Sequence, residues 1–187
     1  MSRFAKIAGL AVWASFAASA HAFDPSAQPI LSHGTLQAAF SPWDNVEKII
    51  IDEVGAAKKQ ILVQAYLLTS KTISGALIAA YRRGVDVQVM VDAEQLSKVV
   101  SSTAHVLARA GVLVWKETKY QNAHNKTIVI DAETPSSTVI TGSYNFTWTA
   151  QHRNAENILI SRGNPDLTAR YVSNWNKHLL EAVLLKK

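Results

Sequence analysis

Ala123-His124-Asn125-Lys126-Thr127-Ile128-Val129-Ile130-Asp131 is the stretch that decides how this chain reads. Thr127 to Ile130 is a run of mostly β-branched residues of strand length. Just ahead of it stand a histidine and a lysine two residues apart. Alternate residues of an extended chain project to the same side, so an extended His124 to Lys126 turns an imidazole and an ammonium toward one pocket. A nucleophile beside a cation suits attack on a phosphodiester, whose phosphorus is shielded by negative oxygens. A second polar cluster, Gly142-Ser143-Tyr144-Asn145, follows a further strand-like run, Thr138 to Thr141.

Upstream, strand and helix patterns alternate. Thr35 to Phe40 reads as a first strand. Ser41 as N-cap and Pro42 at the first helical position would open a helix carrying Val46, Ile49, Ile50 and Val54 on one stripe. Ile61 to Tyr66 is a short apolar strand. Ile73, Leu77, Ile78 and Tyr81 mark a second helix that stops near Gly84. Val85 to Val91 alternates as a strand, Ala104 to Ala110 is a helix ended by Gly111, and Val112 to Trp115 is a strand. Downstream, Asn157 to Ser161 reads as a strand and Asp166 to Leu185 as a closing helix. This order predicts an α/β fold with a mixed, largely parallel sheet sandwiched between helices.

The pattern His-x-Lys-x4-Asp at His124, Lys126 and Asp131, followed by Gly142-Ser143-x-Asn145, resembles the phospholipase D superfamily. Gly142 to Thr147 and then Asn154-Ala155-Glu156-Asn157 look like its small bacterial endonuclease branch. The resemblance covers most of the chain after Thr35 and implies a phospholipase D-like fold. Ten residues separate Asp131 from Gly142, more than is usual in the superfamily. The excess includes Glu133-Thr134-Pro135-Ser136-Ser137, a turn-forming string that reads as a longer hairpin tip.

Roles follow from chemistry. His124 would attack phosphorus through a neutral ring nitrogen and form a covalent phosphohistidine. Lys126, the Ser143 hydroxyl and the Asn145 amide would bind the phosphate oxygens. Glu156 is the candidate acceptor that fixes the imidazole tautomer, a role the resemblance also implies. Asp131 is placed with the catalytic set as a residue that steadies it. A leaving alkoxide needs a proton, yet the chain holds one such motif where larger superfamily members hold two. A homodimer sharing one active site, each subunit supplying a His124, resolves this. The scheme needs no metal or other cofactor, and the resemblance likewise implies metal-independent catalysis. The histidines show no ligand-like spacing either, so no metal site is expected. Trp148 reads equally as a base-stacking aromatic or as packing, and Arg153 as a phosphate contact or a surface charge.

Residues 1–22 read as a secretory signal: Arg3 and Lys6 precede the apolar run Ile7 to Ala20, and Ala20-His21-Ala22 suits cleavage. The chain would then be exported, periplasmic or secreted, with residues 23–187 forming a single catalytic domain and no stable membrane insertion once the signal is gone. There is no cysteine, which excludes disulfides and a thiol nucleophile. Formal charge is +5, or +3 without the two signal cations, a mild bias toward polyanions. The resemblance, to which these features add, implies a non-specific endonuclease on DNA, RNA being a further substrate. The alternative is a phospholipase D-type hydrolase of phospholipid head groups.

Overall fold

The computed structural model describes residues 27–186. The signal segment, residues 1–22, lies outside them. The described chain runs β1 (Thr35–Ser41), α1 (Val46–Ala56), β2 (Gln60–Ala65), α2 (Lys71–Arg82), β3 (Asp86–Asp92), α3 (Ala93–Lys98), α4 (Ala104–Ala110), β4 (Leu113–Glu117), β5 (Lys126–Ile130), β6 (Thr138–Gly142), α5 (Trp148–His152), β7 (Glu156–Arg162), α6 (Pro165–Leu179) and β8 (Val183–Leu184).

One eight-stranded sheet has the order β1-β7-β6-β5-β2-β3-β4-β8. It is mixed and lies between helices, as expected. Its parallel share is smaller than the upstream alternation suggests. Only β2–β3 and β3–β4 are parallel; β5, β6, β7 and β1 all pair antiparallel. The reason is local. The helical crossovers of the first half enforce parallel pairing, whereas β5 and β6 are joined by the hairpin tip 131–137, too short for a crossover, so the chain returns antiparallel.

The two faces are covered unequally. On one face Val46, Ile50 and Val54 of α1 and Ile73 and Leu77 of α2, with Leu107 of α4, bury Ile61, Val63, Val89, Ile128, Ile140 and Ile160. The other face carries α6, whose Trp175 packs over Leu62, Met90, Val129 and Val139. Strand β2 is thus buried on both sides, which is why it reads as an unbroken apolar run. A single helix cannot span eight strands. Over β7 and β1 the second face stays open, leaving Leu36, Phe40 and Leu159 exposed at 58%, 49% and 42%.

Several boundaries differ from expectation. Ser41 stays in β1, opposite Glu156, and its hydroxyl donates to the Ala150 carbonyl at 2.7 Å. The chain then turns, with Asp44 accepting from the Phe40 amide at 2.8 Å, and α1 starts later under an Asn45 cap whose side chain accepts from Lys48 N at 3.0 Å. The closing helix ends at Leu179 rather than Leu185. Val183 and Leu184 instead pair with β4, where they satisfy an otherwise open strand edge. Helices α3 and α5 were too short to leave a periodic signal.

Asp131 ends β5 in a left-handed conformation, φ 49°. Its carboxylate accepts from the amides of Lys58, Lys59 and Gln60 at 2.8, 2.7 and 3.0 Å. That latch ties the end of β5 to the turn entering β2 and fixes their register. Replacing Asp131 with Ala strands these donors, and urea unfolding should show a loss of about 3 kcal/mol.

Candidate active site

The C-terminal ends of β2 and β3 and the N-terminal end of β5 share one edge of the sheet, because β5 is antiparallel to β2 with Ala65 opposite Lys126. In α/β sheets that edge is where ligands bind, since the crossovers leave a crevice there. The antiparallel returns bring the rest of the motif to the same edge. Thr127 faces Thr141, so Gly142 and Ser143 end β6 there, and Glu156 and Asn157 begin β7 there. The hairpin tip takes up the extra residues at the opposite edge, and the register of Ser143 and Asn145 is undisturbed.

His124 lies in the segment just before β5, and its residue is exposed. Lys126 is buried, 7% exposed. Its Nζ lies 3.0 Å from His124 Nδ1 and donates to the His124 carbonyl at 2.7 Å. Burial holds the ammonium below the ordinary lysine range, while the Glu156 carboxylate pushes it back up. The two residues the motif pairs are therefore in direct contact, one wet and one dry. The half-shielded cation acts with less screening than a surface lysine would.

Gly142 has to be glycine, because a Cβ there would fall 2.1 Å from the Asn157 carbonyl oxygen. That close approach lets Ser143 N donate to the same oxygen at 3.1 Å. The Ser143 hydroxyl accepts from Asn157 N at 3.1 Å and from Asn157 Nδ2 at 3.3 Å. Tyr144 turns into the core, which directs its neighbours Ser143 and Asn145 the other way. The Asn145 Oδ1 is buried and without a hydrogen-bond partner among the described residues.

One expected placement is corrected, and one expected contact is not made in the single chain. Asp131 sits at the far end of β5, about 16 Å of strand from Lys126, and its carboxylate is consumed by three backbone amides. It belongs to the scaffold and not to the reacting groups. Glu156 is at the correct edge, but its Oε1 accepts from Asn154 Nδ2 at 2.8 Å, and the imidazole Nδ1 faces Lys126 instead. A lone chain thus holds the candidate acceptor ready beside the site without engaging the histidine. Among the described residues no cluster of His, Asp and Glu side chains is arranged to hold a metal ion.

Two residues were missed. Asp92, 1% exposed at the end of β3, accepts from Ala123 N at 2.8 Å and from Gln95 N at 2.7 Å. It anchors the backbone immediately before His124 and caps α3 at once. Tyr66, one residue past β2, lays its ring 4.3 Å from the imidazole. Their signal in the sequence was position alone: both close apolar runs at strand ends. Trp148 is 56% exposed on α5, with the Arg153 guanidinium 5.8 Å from its ring.

The family model described as cardiolipin synthase, PLD-like domain, matches residues 50–179. A Rickettsia bellii protein named phospholipase D is 37% identical over 145 residues, covering 78% of this chain and 69% of that protein. A solved phospholipase D family member, Nuc from Salmonella typhimurium, superposes with a TM-score of 0.76 at 28% identity, over 82% of this chain and 99% of its own. NucT from Helicobacter pylori shares the fold at 21% identity, TM-score 0.71, over 81% and 100% of the two chains.

A buried lysine gives a sharp test. The fold binds its proton less tightly than the unfolded chain does, so the charge costs stability at neutral pH, and that cost fades as pH rises toward 10.5. Lys126→Met should therefore melt no lower than the wild type at pH 7, while phosphodiester cleavage falls by about a thousandfold. Thermal melts and initial rates check both halves.

Proposed function

The chain belongs to the phospholipase D-like family of phosphodiesterases, and on that premise we propose that it is an exported, metal-independent endonuclease with little sequence preference. The observation that carries the reading is the exposed His124 imidazole against the buried Lys126 ammonium, Nδ1 to Nζ 3.0 Å. Attack on phosphorus through Nε2 requires the proton on Nδ1. A phosphate oxygen entering the site draws the ammonium to itself, the ring proton moves from Nε2 to the freed Nδ1 by exchange with water, and Glu156 exchanges Asn154 for the resulting Nδ1–H. The P–N bond forms as the P–O bond breaks. Lys126, Ser143 and Asn145 hold the charge that grows on the equatorial oxygens.

The departing oxygen takes its proton from the His124 of a second copy. Water then attacks the phosphohistidine, with that second imidazole returning as base. Pairing of two copies is supported by the open sheet face. Leu36, Phe40 and Leu159 form an apolar strip there, and Phe40 pairs with Asn157, which contacts Ser143. A surface that is apolar and borders the reacting groups suits a two-fold partner. Nucleic acid as substrate is supported by the net positive charge and by Trp148 with Arg153 over its ring, a pair suited to an unpaired base and its phosphate. The name phospholipase D on the Rickettsia bellii relative keeps hydrolysis of phospholipid head groups as the second reading. No helix of the described residues is long and apolar enough to cross a membrane. Residues 1–22 as a signal, and an envelope location, fit removal of foreign or spilled DNA.

Plasmid DNA and phosphatidylcholine vesicles, each with a chelator present, separate the readings. We expect DNA to be cut and lipid to be spared; the reverse would install the second reading. His124→Ala should abolish cleavage while melting normally. Leu159→Asp should shift the protein toward monomers by sedimentation and depress cleavage in proportion. An active monomer would remove the shared site.

A further inference from the structure

Resting on the phosphohistidine reading above, we infer that Tyr66 is a positioning residue: one aromatic ring aligns the His124 nucleophile and gathers the Lys126 cation beside it. The ring centroids of Tyr66 and His124 are 4.3 Å apart at an interplanar angle of 51°. The Lys126 ammonium lies 4.9 Å from the same Tyr66 centroid. Tyr66 is thus in contact with both members of the reacting pair at once. A tyrosine face carries negative charge density and attracts an ammonium. The imidazole, packed against it, loses freedom to turn about its own bond.

The backbone explains why this residue can do so. Tyr66 N donates to the Asn125 carbonyl at 3.0 Å, which places the ring level with the residue between His124 and Lys126. Its hydroxyl lies 3.4 Å from Asn122 Oδ1, at the edge of hydrogen-bonding range. The ring, rather than the hydroxyl, therefore makes the substantial contacts. The Ala123 amide is held by Asp92 from the neighbouring strand end. His124 is thereby fixed twice: by Asp92 through its backbone and by Tyr66 through its ring. The second constraint matters for rate. A nucleophile on an exposed segment has to be aimed, and misalignment lowers turnover without altering substrate capture.

The experiment uses bis(p-nitrophenyl) phosphate, whose leaving group departs with its electron pair and needs no acid. A burst of p-nitrophenolate then reports P–N bond formation alone. For Tyr66→Leu we expect a burst rate about tenfold slower at unchanged amplitude per protomer, with the substrate concentration that half-saturates the burst rate within about twofold of the wild type. Tyr66→Phe keeps the ring and should stay within about threefold of the wild type. A Tyr66→Leu burst as fast as the wild type would overturn the inference. So would a loss of amplitude in place of rate, since that reports fewer competent molecules and hence a merely structural role. An equal loss in Tyr66→Phe would transfer the role to the hydroxyl and overturn it as well. If wild type quenched after mixing with the same diester carries no phosphate on His124, the phosphohistidine reading fails first and takes this inference with it.

Discussion

A lysine ammonium held out of water is the constraint around which this structure is organised. Lys126 opens a strand buried on both faces, and burial opposes its charge. The ammonium is tolerated because it is ringed by partners: the His124 carbonyl and Nδ1, the Tyr66 ring and the field of Glu156. Two of these partners belong to His124, two residues away, while Tyr66 and Glu156 come from remote segments, so the cation is accommodated where three segments meet. The same desolvation that costs stability would strengthen the pull of the charge on a phosphate oxygen in the proposed reaction, because solvent dilutes the attraction less.

The sheet supplies that meeting point. Parallel β2 and β3 deliver Tyr66 and Asp92 at their C-terminal ends, and the antiparallel run β5, β6, β7 brings Lys126, Ser143 and Glu156 back to the same edge. At the opposite edge Asp131 locks β5 to the turn before β2. A slip of one residue would invert every side chain of β5 and turn Lys126 into the other face, so the latch protects the site from a distance. The aspartate of the motif therefore earns its place as a register pin.

Unequal helix cover has a consequence as well. Several helices cover one face, whereas α6 covers only the middle of the other. The apolar strip on β1 and β7 that this leaves open adjoins Asn157 and the reacting groups. That strip is the surface on which the proposed second copy would sit.

By itself the sequence determined much of this. Apolar runs, alternating where one face is buried and unbroken where both are, gave all the strands except β8, because hydrophobic pattern is local. Spacing alone assigned His124 and Lys126 to one pocket and placed the extra residues in a hairpin tip. What it could not carry was whatever depends on segments distant in the chain. Asp131 and Lys126 stand in one short motif, yet strand geometry sends them to opposite edges. Glu156 hydrogen-bonds Asn154, and Tyr66 and Asp92 join the site from strands whose sequence signal is only that they end. The start of α1 moved because Ser41 bonds Ala150, and the last helix ended early because β4 offered an open edge to Val183 and Leu184. Local pattern follows from which residues must leave water; function follows from which backbone hydrogen bonds and ion contacts close between remote segments, and only the assembled sheet decides those.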